Sequence, residues 1–162
     1  MKKALVLGCG LIGKTVALDL AKDFTVTVMD PFEKALASLA DRADIKKIQK
    51  PANDASALAE AASDADIVCG LLPSHLEGAS QRQILEMGKN YVSPSGFLHS
   101  EGMDEIAKRT GAVAVFDMGI APGMSNYLVA RGGAMVDELD FGCIYVGGIP
   151  DKLAPSSALR IL

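Results

Sequence analysis

Three glycines spaced as Gly8-Cys9-Gly10-Leu11-Ile12-Gly13 follow a short aliphatic run, Lys3 to Leu7, and precede apolar residues at helical spacing from Leu11 to Lys22. Few chain paths tolerate that arrangement. The first glycine permits a tight turn out of a strand, the second lets backbone approach a bulky anion, and the third lets the next helix pack closely on the strand it left. A strand, turn and helix joined in this way need a parallel neighbour, reached by a crossover. The chain can supply one: 162 residues, 49% apolar and 22% charged, suit one compact domain rather than a disordered chain.

The rest of the sequence repeats the alternation. Phe24 to Met29 reads as a second strand, and Asp30-Pro31 opens a helix over Phe32 to Arg42 with Ala35, Leu36 and Leu39 on one face. Ile45 to Ile48 is a third strand, Asp54 to Ala62 an alanine-rich helix, and Asp66 to Cys69 a buried strand ending at Gly70-Leu71-Leu72-Pro73. Helices follow over Leu76 to Met87, Met103 to Arg109 and Pro122 to Gly133, with extended segments at Asn90 to Ser93, Val113 to Phe116 and Glu138 to Gly147. Strand and helix alternating at this spacing predict an α/β domain, a doubly wound parallel sheet covered on both faces. From Pro150 onward no period is visible, and no repeat or linker interrupts the chain.

Charge narrows the partners. Sixteen basic against twenty acidic residues give a net charge of −4, with the Lys and Arg scattered, so there is no basic stripe for nucleic acid. Cys9, Cys69 and Cys143 form no C-x-x-C pair and sit in apolar segments, which predicts reduced thiols in a cytoplasmic protein and no metal site. Met1-Lys2-Lys3 ahead of an apolar run and Cys9 imitates a lipoprotein signal, but the run is shorter than the roughly 7–15 residues such a signal needs. No apolar stretch approaches the roughly 18–20 residues that cross a bilayer, so no membrane partner is expected.

The candidate site residues lie where strands end. Gly8, Gly10, Leu11, Ile12 and Gly13 would present helix amides to a pyrophosphate. Asp30 closes the second strand, 20 residues after Gly10, where a carboxylate can accept hydrogen bonds from ribose hydroxyls. It would repel a 2′-phosphate, and Pro31 and Phe32 offer no arginine to neutralise one, so NAD is expected rather than NADP. The purely structural alternative is that the glycines only pack the turn and Asp30 only caps the next helix. Leu71, Leu72 and Pro73 occupy the carboxyl end of the fourth strand, either against the cofactor or as an ordinary connection. His75 and His99 read as surface or capping residues, and neither Ser95 nor Ser100 has the setting of a nucleophile. The methionines at 87, 103, 118, 124 and 135 read as packing residues. Asp117, Gly119, Pro122 and Gly123, within Phe116 to Asn126, form a shaped loop between strand and helix that can bring backbone amides to a ligand.

With Tyr91-Val92-Ser93 and Tyr145-Val146-Gly147-Gly148-Ile149-Pro150, these motifs resemble in order and spacing the amino-terminal NAD(P)-binding part of saccharopine dehydrogenase and its lysine 6-dehydrogenase relatives. The resemblance implies oxidation or reduction of a carbon–nitrogen bond of an amino acid by a nicotinamide cofactor. It places Asp117 to Asn126 beside the nicotinamide and substrate, and Leu71 to Ser74 on the cofactor. It also divides the chain into a Rossmann-type domain over 1–134 and, over 135–162, the first strand of a largely absent substrate domain. Two departures stand out: Ser93 where relatives commonly have aspartate, and Pro51, with Asn53 and Asp54 nearby, where several have an acid near the adenine. No residue is assigned as catalytic acid or base. Phe141, Ile144, Tyr145 and Val146 would lack their normal cover, which predicts a homo-oligomer. The rival reading is an NAD-sensing regulatory module without catalysis, which needs the glycine turn and the acid but not the Asp117 to Asn126 loop. A third is an inert fragment with poor cofactor affinity.

Overall fold

The computed structural model describes residues 1–95 and 100–147. Strand β1 (Lys3–Leu7) lies mid-sheet; helix α1 (Leu11–Leu20) leads to β2 (Thr25–Met29), and α2 (Glu33–Ala37) to β3 (Lys46–Ile48). Helix α3 (Ala55–Ala62) then crosses back over to β4 (Ile67–Gly70) on the other side of β1, followed by α4 (Ser74–Glu86), β5 (Asn90–Val92), α5 (Met103–Thr110), β6 (Ala114–Val115) and α6 (Met124–Gly133). The sheet order is β3-β2-β1-β4-β5-β6, and every pairing is parallel. This is the doubly wound sheet the alternation predicts. Its winding reverses between β1 and β4, the switch point at which such sheets open a crevice outside their carboxyl ends.

The alternation of a strand's side chains explains the two cores. Along β1, Leu5 and Leu7 join Met29, Leu58, Val68, Ile84, Leu85 and Tyr91 on one face. Val6 joins Val26, Val28, Leu36, Leu39 and Ile45 on the other. Because both faces are covered, Ala4 through Leu7 are all buried, which is why the strand reads as a continuous apolar run. Cys9 and Cys69 pack into the second core. Burial pushes the Cys69 thiol up to about 11.

Two expected elements differ. The helix expected over Phe32 to Arg42 stays α-helical only over Glu33–Ala37. Beyond it the chain tightens into three-residue bonds, from Ser38, Leu39 and Ala40 amides to the Ala35, Leu36 and Ala37 carbonyls, which turns Leu39 into the core. The strand expected at Glu138 to Gly147 is irregular and exposed. A strand needs a ladder of backbone bonds, and among the described residues no neighbouring strand offers one. The segment instead runs back beside α6: a side chain at Gly142 would meet Val129 at 2.7 Å, and one at Gly133 would meet Leu139 at 2.9 Å.

The sheet edges are unlike one another. Strand β3 carries Lys46 and Lys47, charges that discourage another strand from pairing there. Strand β6 is two residues long, with Val115 in it and Val113 just before it exposed. Among the described residues, no helix is long and apolar enough to cross a membrane.

Candidate functional site

The glycine turn is built by backbone contacts that leave no room for side chains at two of its three positions. Gly8 leaves β1 with φ +95, and a Cβ there would lie 2.6 Å from the Leu71 carbonyl oxygen. A Cβ on Gly13 would stand 2.0 Å from the Gly8 oxygen, so the third glycine lets α1 sit on the turn itself. At Gly10 nothing lies within 4 Å of such a carbon. Packing does not demand glycine there; the open space is where a ligand's backbone-hugging anion would pass. Helix α1 has no side-chain cap, so its first amides are available to an anion. Leu11 and Ile12, 91% and 63% exposed, offer apolar surface beside it. The residues present therefore fit a dinucleotide.

Asp30 lies next to this turn, almost fully buried. One carboxylate oxygen accepts from the Cys9 amide at 2.7 Å and the other from the Phe32 amide at 2.8 Å. The aspartate does not cap α2, whose first flanking residue is Phe32. It ties the glycine turn to the chain leaving β2 and keeps lone pairs on both oxygens for further donors such as ribose hydroxyls. The structural and binding readings of Asp30 are compatible.

Leu71 enters the same edge through its amide, which donates to the Leu7 carbonyl at 2.9 Å. Leu71 and Leu72 are half-buried, each packing on a different core, and Pro73 is exposed at the start of α4. Gly70 proves to serve packing: a Cβ there would fall 1.7 Å from the Tyr91 hydroxyl oxygen. His75 is exposed in the first turn of α4, and His99 lies outside the described residues. Asp54 caps α3, accepting from the Ser56 and Ala57 amides at 3.1 and 3.0 Å.

The Asp117 to Gly123 loop leaves β6, three strands along from β1, or about 14 Å at the usual strand spacing. It closes on itself. The Gly119 amide donates to the Pro122 carbonyl at 3.1 Å and the Met124 amide to the Gly119 carbonyl at 2.9 Å. Gly123, at φ +127, would with a Cβ approach three backbone atoms within 2.7 Å, and its amide donates to Asn126 Oδ1 at 3.0 Å. Asp117, half-buried, holds a left-handed φ of +56, a conformation aspartate tolerates better than most residues but that still costs energy. Pro122 is exposed, as are Met118 and Ile120, at 56% and 79%. Thus Gly8, Gly13, Asp30 and Leu71 share one corner of the carboxyl edge, and Asp117, Gly119, Pro122 and Gly123 stand farther along it.

A groove of about 650 Å³ lies elsewhere, on a sheet face toward the amino ends of the strands, lined by Lys3, Thr25, Thr27, Lys46, Glu60 and Asp64 among others. It does not include the glycine turn. Among the described residues no group of His, Cys, Asp or Glu is arranged to hold a metal.

Sequence reasoning missed Glu77. In a helix's first turn an acid reads as a surface charge favouring the helix dipole. Here its side chain is wholly buried under the carboxyl edge, and Ser93 Oγ donates to it at 2.9 Å, Ser95 Oγ at 2.8 Å and Gln81 Nε2 at 3.1 Å. Burial raises its pKa; the Ser95, Ser93, Leu72 backbone and Gln81 hydrogen bonds oppose that rise. Ser93, the departure from the Tyr-Val-Asp pattern, is therefore a buried partner of a carboxylate from another element. A polar helix residue three positions after Ser74 gave only a weak signal of this.

Residues 4–115 match the family model described as the saccharopine dehydrogenase NADP binding domain. Among solved structures, saccharopine dehydrogenase (L-Glu forming) from Saccharomyces cerevisiae is similar at 25% identity with a TM-score of 0.71, covering 81% of this chain and 30% of its own. The WlbA dehydrogenase from Thermus thermophilus, solved with NAD and UDP-GlcNAcA, shares the fold at 17% identity and a TM-score of 0.62, over 83% of this chain and 47% of its own. The chain thus spans under half the length of either. A match over most of the sequence, on a doubly wound sheet with this glycine turn, places it: the chain belongs to the saccharopine dehydrogenase NADP binding domain family.

Proposed function

We propose that this chain is the cofactor-binding part of an oxidoreductase acting on a carbon–nitrogen bond of an amino acid, in the chemistry of lysine and saccharopine, and that it takes NAD in preference to NADP. The observation that carries the cofactor reading is the open space at Gly10 flanked by Gly8, Gly13 and buried Asp30. Gly8, Gly10, Leu11, Ile12 and Gly13 would hold the pyrophosphate and Asp30 the adenosine ribose. Leu71, Leu72 and Pro73 would border the cofactor's middle, and Asp117, Gly119, Pro122 and Gly123 the nicotinamide and substrate. When bound, the nicotinamide supplies hydride transfer, and the protein supplies orientation and electrostatics. Although the matched family is described by NADP, the charge and burial of Asp30 with Pro31 and Phe32 after it favour a free 2′-hydroxyl.

The test is a titration of the purified chain with NADH and NADPH, following nicotinamide fluorescence. NADH is expected to bind at least tenfold more tightly, about 1.4 kcal/mol. Equal or reversed affinities overturn the preference for NAD; binding of neither overturns the cofactor assignment.

The apolar surface supports self-association. Helix α6 has no buried residue, and Tyr127, Leu128, Met135, Val136, Phe141 and Tyr145 are all more than half exposed, an unusual concentration for a monomer. Sedimentation at micromolar concentration is expected to show a dimer that Phe141→Asp with Tyr145→Asp returns to monomer. A clean wild-type monomer refutes this.

A further inference from the structure

The Glu77 side chain is 0% exposed, and the hydrogen bonds it accepts from Ser93, Ser95 and Gln81 side chains all come from neutral donors. None of the ion pairs among the described residues includes it. A carboxylate taken out of water without a cation is costly, so such a group is retained against its contribution to stability. Among the described residues, the groups facing it are Ser93 and Ser95 after β5, Tyr91 within β5, and Gln81 and the Leu72 backbone on the α4 side. Of these, Tyr91 is titratable, and burial raises its hydroxyl far above the usual tyrosine value.

The placement is informative. Helix α4 starts directly after the Leu71–Pro73 loop. The Ser93 carbonyl accepts the Met118 amide at 3.0 Å, and a Cβ on Gly119 would lie 3.6 Å from Pro94. Glu77 therefore stands behind both loops that border the proposed ligand. Glu77, Ser93 and Gln81 are closed off, and Ser95 is only half-buried. An ionised carboxylate only accepts, so the Ser95 O–H points inward to Glu77 and its oxygen lone pairs are left to accept from outside. A group that seeks such an acceptor is an N–H, above all a charged one.

We propose that Ser95 and Glu77 form a proton relay for the nitrogen of an amine substrate, with Ser95 touching the amine and Glu77 holding the proton. This rests on the function proposed above. A substrate ammonium N–H bonds to Ser95 Oγ. Its proton passes to Oγ as the Ser95 hydroxyl proton passes to Glu77 Oε2, leaving a neutral amine, an intact serine and a carboxylic acid. No electrons are exchanged in this step, and one positive and one negative charge disappear together. The neutral amine has the nitrogen lone pair that loss of hydride from its carbon requires, and the reverse passage returns the proton.

The experiment is carbon NMR of the full chain labelled with ¹³C at glutamate carboxyls. Glu77 is assigned by loss of its resonance in Glu77→Gln, or in Glu77→Asp, which keeps the acid. The wild-type resonance is titrated with NADH alone, then with NADH and millimolar L-lysine or methylammonium, so that no turnover occurs. An ammonium seated on the relay favours the ionised acid, so the midpoint is expected to fall by at least about one pH unit, a tenfold change in proton affinity. Ser95→Ala is expected to remove most of that fall. A midpoint unmoved by both amines while NADH binds overturns the relay, as does an undiminished fall in Ser95→Ala. Failure of NADH to bind strikes the cofactor assignment instead, and is read separately from fluorescence.

Discussion

Replacing Gly13 by alanine is expected to cost more than about 3 kcal/mol and to abolish NADH binding. The added carbon would sit 2.0 Å from the Gly8 oxygen, and both partners are backbone. Neither can yield cheaply. The Gly8 amide is bonded to the Met29 carbonyl at 2.8 Å, and the Leu71 carbonyl blocks Gly8 from the other side. Relief would have to come from moving α1 off the sheet, opening the core around Ala17 and Val6. Overpacking that the backbone cannot absorb lies at the upper end of single-residue effects. For a domain of this size, thermal unfolding followed by circular dichroism should show the midpoint fall by about 10 °C. Gly10→Ala is the contrast, because a carbon there meets nothing within 4 Å. It should unfold within about 2 °C of wild type yet bind NADH at least tenfold more weakly. A Gly13→Ala protein as stable as wild type would mean that the turn is not built as described.

Asp30→Ala is expected to weaken NADH binding by at least 100-fold, about 2.7 kcal/mol. Two losses combine. The ribose hydroxyls lose their acceptor, and the Cys9 and Phe32 amides, bonded at 2.7 and 2.8 Å, lose theirs in a nearly closed setting. An orphaned buried amide costs about 1–3 kcal/mol, so the variant should also be less stable in urea. Saturating NADH separates the two effects: if it restores little of the stability deficit, the ribose contact has gone as well as the turn's brace. Wild-type affinity in Asp30→Ala would remove Asp30 from the binding site.

The fold was legible because its signals were local and agreed. Glycines with backbone-only neighbours, Val and Leu runs such as Lys3 to Leu7, and the spacing of Asp30 all point to one topology, and the six-stranded order confirms it. The misreadings came where tertiary context decides. Glu138 to Gly147 has the composition of a strand, yet a strand forms only beside another. Gly70 leaves room for Tyr91, a residue 21 positions later that sequence spacing alone does not connect. Glu77 was invisible for the same reason: its partners, Ser93 and Ser95, come from a different element, and nothing in a first-turn acid announces burial. The glycine turn and the acid beside it were thus readable as local geometry, and the carboxylate buried behind them was not.

The unequal edges of the sheet would limit how far the proposed association can go. Lys46 and Lys47 on β3 disfavour pairing at one end of the sheet, so among the described residues the short β6 end, with Val115 exposed, and the apolar segment beyond it are the surface that the proposed pairing would share. Copies joined through the same patch about a two-fold axis leave two guarded ends outward. The association proposed above would then terminate at a pair rather than grow into a fibre.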